Sequence, residues 1–119
     1  VVLWLLAEPE RIGPASTALL RESRKVSLSA ASVWELGIRE TLGKIRLPED
    51  FLDQALRAGL RELPVTARHA RLAAVTRTPQ RDSFDRMLLA QTEAERAVLL
   101  TADRALLSLD RADVRDARE

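Results

Sequence analysis

Apolar residues recur along this chain at two spacings, and the change from one to the other predicts helices separated by short strands. Helical spacing predicts helices at residues 3–6, 14–22, 32–42, 48–58, 66–75, 83–95 and directly after Asp103. Short runs with apolar residues at every second position, or fully apolar runs, predict strands at 26–29, 60–65 and 98–101, with a final edge strand near Val114. A loop is expected at 77–81.

Strands that alternate with helices indicate an α/β domain with a mostly parallel sheet and right-handed crossover connections. The length of 119 residues is typical of one domain, and we assign residues 1–119 to it. The sequence opens on a predicted helix, so the alternation leads us to expect a further strand ahead of Val1.

Charge and composition exclude several classes of protein. The formal net charge of +1 is not that of a strongly basic nucleic-acid binder, and the absence of cysteine excludes disulfides and thiolate metal sites. The apolar run at residues 1–7 is too short to cross a membrane, and no basic region precedes it as in a signal peptide. We therefore expect a cytoplasmic protein that does not bind membranes.

Acidic residues occupy positions where an open parallel sheet binds its ligands, beyond the carboxyl ends of the strands. Glu35 follows the first predicted strand, Asp103 follows the third, and Asp85 lies at the start of the longest helix with Asp82 just before it. Carboxylates gathered there would suit Mg²⁺ or Mn²⁺, because these hard cations prefer oxygen ligands.

Each of these acids also has a purely structural interpretation. Ser32 and Glu35 have the spacing of a capping box, Asp82 or Ser83 can cap a helix, and Asp103 can cap the next. Spacing alone leaves both interpretations open.

Residue patterns typical of other catalytic or phosphate-binding sites are not evident in the sequence. His69 is the only histidine, and neither a Ser–His–Asp set nor a glycine-rich phosphate loop is evident. We expect Trp4 and Trp34 to lie in the core or at an interface rather than to stack on nucleobases.

Three local strings resemble PIN-domain proteins of the VapC type. Residues 29–35 (SAASVWE) resemble the family's "SAAS.WE" stretch, residues 81–91 (RDSFDRMLLAQ) resemble "RDPFDRLLVAQA", and residues 99–103 (LLTAD) resemble "L.TAD". The opening residues 1–6 (VVLWLL) are similar to the stretch that follows the family's "LLDTH". The order and spacing of these strings also fit, over nearly the whole chain.

The resemblance implies a three-layer α/β/α fold and a Mg²⁺- or Mn²⁺-dependent ribonuclease. It further implies a toxin neutralised by a small VapB-like antitoxin protein, and a homodimer. By position, Glu35, Asp85 and Asp103 match the family's catalytic acids, Asp82 matches a further metal-binding acid, and Thr101 matches a hydroxyl beside the site.

One departure from the family pattern matters. The family's first aspartate, with its strand, would precede Val1, so we expect a PIN-like domain that is N-terminally truncated relative to the family and lacks its first strand. We expect the RNA backbone to be held by arginines near the acidic cleft, namely Arg81, Arg86 and Arg104. The alternative is a catalytically degenerate PIN domain that binds an antitoxin or RNA without cleaving it.

Overall fold

The computed structural model describes residues 1–76 and 82–119. Within these residues the helices are α1 (Val2–Ala7), α2 (Pro14–Glu22), α3 (Ala30–Thr41), α4 (Phe51–Arg57), α5 (Ala67–Val75), α6 (Ser83–Ala94) and α7 (Arg104–Leu107). The strands are β1 (Ser27–Ser29), β2 (Arg61–Leu63), β3 (Leu99–Thr101) and β4 (Val114–Asp116). A 3₁₀ turn, Pro9–Arg11, joins α1 to α2. The predicted loop at 77–81 lies outside the described residues.

The strands form two parallel pairs. In the first pair Ser27 lies opposite Arg61, and in the second pair Leu99 lies opposite Val114. Helices α3 and α4 connect β1 to β2, and α7 connects β3 to β4, as parallel pairing requires. The prediction of a mixed α/β fold with parallel strands is confirmed, and the prediction of a strand ahead of Val1 stays a prediction.

The main apolar core lies between β1, α4 and the start of β2. It contains Leu28, Phe51, Ala55 and Leu60, with half-buried residues of α1 packed against it. Leu89 of α6 and Leu106 of α7 are fully buried elsewhere in the domain. No helix among residues 1–76 and 82–119 has both the length and the apolar character needed to cross a membrane.

Helix α3 begins earlier than its sequence pattern predicts. Its N-cap is Ser29, whose hydroxyl oxygen accepts the backbone N–H of Ala31 at 3.1 Å. The prediction of a capping box at Ser32 and Glu35 is therefore wrong, and Glu35 lies in the second turn of the helix. The strand and the helix share Ser29, so one residue serves as the end of β1 and the cap of α3.

The exposure of α3 also differs from the prediction. The apolar stripe that helical spacing predicts for this helix consists of Val33, Leu36, Ile38 and Leu42. Val33 and Leu36 pack against the core, but Ile38 and Leu42 are exposed. Trp34 is 67% exposed, so it lies outside the core, and its alternative place at an interface stays a prediction. It touches the ring of Phe84 edge-on, with a centroid separation of 5.1 Å.

The start of α4 differs from its predicted position, whereas the start of α5 agrees with it. Helix α4 begins at Phe51 rather than at Pro48, because the residues between them form a turn. Helix α5 begins as predicted: the Thr66 hydroxyl accepts the backbone N–H of His69, and the His69 ring accepts the backbone N–H of Thr66. His69 is thereby held in the interior.

Candidate metal centre

Three carboxylates converge where α3 passes the start of α6. One ligand oxygen from each of Glu35, Asp82 and Asp85 lies within 4.8 Å of the other two. The structure thus brings together acids from two helices that are far apart in sequence. Asp103, the fourth acid predicted for the site, lies outside this trio, which we call the acidic cluster.

The start of α6 places two of the acids. Asp82 is the N-cap, and its Oδ1 accepts the backbone N–H groups of Phe84 at 2.8 Å and Asp85 at 3.2 Å. Asp85 lies in the first turn, where the helix dipole favours a negative charge. The predicted cap at Asp82 is confirmed, and the same residue also belongs to the acidic cluster, so the structural and functional interpretations are compatible.

Glu35 reaches the cluster from α3. Its carboxylate forms an ion pair with Arg39 one turn later, at 3.2 Å, and the Arg39 side chain is half exposed. This spacing of four residues is the usual one for ion pairs on a helix. Sequence reasoning overlooked Arg39, although the Glu–Arg spacing could have pointed to it.

Asp85 has the most perturbed environment of the cluster. Its side chain is buried, and this burial is the largest reason that its pKa rises from 3.8 to about 6. The charges of Asp82, Asp103 and Glu35 raise the pKa further, and Arg39 opposes them.

Asp103 and Thr101 form a turn at the end of β3. Asp103 caps α7 by accepting the backbone N–H of Ala105 at 2.8 Å, and its own N–H donates to the Thr101 hydroxyl at 3.0 Å. The turn holds Asp103 at the edge of the sheet, near enough for its charge to act on Asp85. Asp103 is exposed to solvent.

The arginines predicted to hold RNA differ in their surroundings. The Arg86 guanidinium donates to the carbonyl oxygens of Ala73, Ala74 and Thr76 at 3.2, 3.3 and 3.4 Å, and so caps the end of α5. Arg104 is exposed at the first residue of α7. Arg81 lies outside the described residues.

The chemistry of the acidic cluster fits a divalent cation. All of its donors are carboxylate oxygens, which Mg²⁺ and Mn²⁺ prefer. Beyond the effect of burial, the neighbouring carboxylates raise the pKa of Asp85 further, and Arg39 opposes them. Glu35, Asp82 and Asp85 would hold the ion.

The fold and the acidic cluster define an α/β domain with a candidate divalent-metal site, an arrangement suited to phosphodiester hydrolysis. Comparison with family models agrees: residues 1–112 match the PIN domain, and the chain belongs to the PIN-domain family. PIN domains are generally metal-dependent nucleases that act on RNA. Comparisons with curated proteins and with solved structures gave no significant match.

Proposed function

We propose that this PIN domain is a Mg²⁺- or Mn²⁺-dependent endoribonuclease and the toxin of a VapC-type toxin–antitoxin pair in the cytoplasm. The observation that carries the nuclease proposal is the convergence of Glu35, Asp82 and Asp85 within 4.8 Å, with Asp85 buried. The toxin proposal is supported by the resemblance of residues 29–35, 81–91 and 99–103 to VapC-type proteins.

Each acid has a distinct part in the proposed reaction. Asp85, ionised above about pH 6, provides a buried negative charge in the site. Asp82 at the start of α6 and Glu35 on α3 provide the other two carboxylates. A bound divalent ion would activate water and stabilise charge on the phosphate under attack. Asp103, placed by the hydroxyl of Thr101, approaches from the end of β3 as the fourth acid of the proposed site.

Contacts to the RNA backbone are assigned to arginines around the cluster. Arg104 is exposed beside Asp103, and Arg39 already lies at the cluster through its ion pair with Glu35. A phosphate that approaches the site would offer Arg39 a second anionic partner in bidentate geometry. Arg81 and Arg86 are kept as further candidates.

The proposed partners are a second copy of the chain and a VapB-like antitoxin. Exposed apolar side chains on α3 and α4 support protein contacts, because extended apolar surface is uncommon on isolated monomers. The row formed by Trp34, Ile38 and Leu42 has the four-residue spacing with which helices pack on one another. We assign this row, called the α3 ridge, to the contact between two copies.

The test of the nuclease proposal is cleavage of end-labelled RNA by the protein with EDTA, Mg²⁺ or Mn²⁺. We expect cleavage that needs the divalent ion and falls by at least about a hundredfold in Asp85→Asn, since the charge holds the ion. RNA binding and Mn²⁺ binding without any cleavage would instead support the alternative, a degenerate binding module. Cleavage that is equal in EDTA would contradict the proposal.

A further inference from the structure

A buried hydrogen bond joins the start of α3 to the middle of α6. The hydroxyl of Ser29 donates to the side-chain oxygen of Gln91 at 2.5 Å, across 62 residues of sequence. Ser29 and Gln91 are both buried, and Gln91 is almost fully inaccessible to solvent. Because a hydrogen bond in the interior does not compete with water, it fixes geometry more strictly than one on the surface.

The amide of Gln91 has only one satisfactory orientation. Its nitrogen donates to the carbonyl oxygen of Pro64 at 3.3 Å, and a carbonyl can only accept. The amide oxygen must therefore face Ser29, whose hydroxyl also accepts the N–H of Ala31 as the N-cap of α3. One side chain thus connects the segment after β2, the end of β1 and α6.

The far side of Gln91 is also held. The nitrogen of its amide lies 3.4 Å from Nδ1 of His69, and Nε2 of His69 lies 2.9 Å from a carboxylate oxygen of Glu95. His69 is buried, so this chain of polar groups fixes the rotamer of Gln91 from the side opposite to Ser29.

This contact is well placed to set the geometry of the acidic cluster. Glu35 lies six residues after Ser29 on α3, and Asp85 lies six residues before Gln91 on α6. Each acid is therefore about 9 Å along its helix from the hydrogen bond. From the contact, the cluster lies toward the C-terminus of α3 and toward the N-terminus of α6, so the two helices are antiparallel here. A shift of one helix against the other at the contact therefore changes the distance between the carboxylates of Glu35 and Asp85.

We propose that Gln91 is a positioning residue for metal binding: through its hydrogen bond to Ser29 it sets the separation of α3 and α6, and with it the distance from Glu35 to Asp85. The inference rests on the proposed function, because it assumes that the acidic cluster holds a divalent ion. Gln91 itself does not touch the ion.

The test is a double-mutant cycle in the full protein, with Mn²⁺ affinity measured by titration calorimetry. The variants are Ser29→Ala, Gln91→Met and the double variant. Methionine keeps the length of the glutamine without its polar atoms. We expect each single variant to weaken Mn²⁺ binding by about tenfold or more. The double variant should lose less Mn²⁺ affinity than the product of the two single losses, because both single variants remove the same hydrogen bond.

A matched control separates positioning from loss of stability. Leu60→Ala removes a buried side chain from the core, against which α3 packs through Val33 and Leu36, but it leaves the bond between Ser29 and Gln91 in place. Its melting temperature should fall at least as far as that of Gln91→Met, while its Mn²⁺ affinity at a temperature where it is folded should stay within about twofold of wild type.

The outcomes are distinguishable. If wild type binds no Mn²⁺, the proposed function fails, and the inference with it. If wild type binds Mn²⁺ but the Ser29 and Gln91 variants bind it as tightly as Leu60→Ala does, the inference alone is overturned. The same holds if the losses of Mn²⁺ affinity in the two single variants simply add in the double variant.

Discussion

The carboxylate of Asp82 that caps α6 also accepts the backbone N–H of Asp85, at 3.2 Å, while its charge raises the pKa of the Asp85 side chain. Asp82 thus stabilises the start of α6 but makes the ionised form of Asp85 less stable. A divalent cation would relieve this repulsion and keep the cap.

The first prediction concerns the stability of the metal-free protein. The pKa of Asp85 is about 6 when folded and near 3.8 when unfolded, so the folded state binds the proton more tightly. The resulting stabilisation is fully present below about pH 4 and is lost as the pH rises through 6. It amounts to about 3 kcal/mol, the value of a two-unit shift.

Urea unfolding of wild type and Asp85→Asn at several pH values measures this effect. As the pH rises from 4 to 7, the free energy of unfolding of wild type should fall relative to that of Asp85→Asn. Parallel pH profiles for the two proteins would show that Asp85 does not have the raised pKa.

The second prediction concerns the pH dependence of metal binding. A divalent ion must displace the proton of Asp85, so Mn²⁺ affinity should fall by about tenfold per pH unit below pH 6. Above that pH it should be nearly constant. Calorimetric titrations at pH 5, 6 and 7.5 measure the profile, and an affinity that does not change between pH 5 and 6 would contradict the part assigned to Asp85.

The third prediction concerns Arg39. Its guanidinium pairs with Glu35 and opposes the rise in the pKa of Asp85, so it also repels a bound cation. Arg39→Gln should therefore bind Mn²⁺ roughly two- to fivefold more tightly, yet cleave RNA more slowly if the guanidinium contacts the phosphate. Arg39→Lys is the control because it keeps the charge, and its Mn²⁺ affinity should match wild type. Cleavage of RNA by Arg39→Gln as fast as by wild type at saturating Mn²⁺ would argue against a contact to the substrate.

The fourth prediction concerns assembly through the α3 ridge. Trp34 and Leu42 lie at equal sequence distances on either side of Ile38, so two copies related by a two-fold axis at Ile38 place the Trp34 ring of one against Leu42 of the other. Leu42→Glu should convert the dimer to a monomer in sedimentation velocity. Val75→Glu, which changes an equally exposed apolar residue on α5, should leave the dimer intact. A monomeric wild type would show that the ridge has another role.

Much of the acidic cluster could be predicted from local sequence. Asp82 and Asp85 lie at a helix start, and helix starts are the positions best marked by capping residues. The order of strands and helices follows from the spacing of apolar residues.

The remaining features depend on contacts between distant segments. Periodicity shows that Trp34, Ile38 and Leu42 share a face of α3, but whether another element covers that face is decided by packing. The bond between Ser29 and Gln91 is likewise invisible in sequence, because nothing local to either residue specifies its partner. Arg39 was overlooked since an arginine one turn after a glutamate is common on exposed helices.

The most direct test of the central claim, that Glu35, Asp82 and Asp85 hold a divalent ion, is Mn²⁺ affinity in Asp82→Ser. Serine is as good an N-cap as aspartate, so α6 and the metal-free melting temperature should change little. The carboxylate is lost, and Mn²⁺ affinity should fall by about tenfold or more relative to wild type. If Asp82→Ser binds Mn²⁺ as tightly as wild type, or if wild type itself binds none, the acidic cluster is not a metal centre.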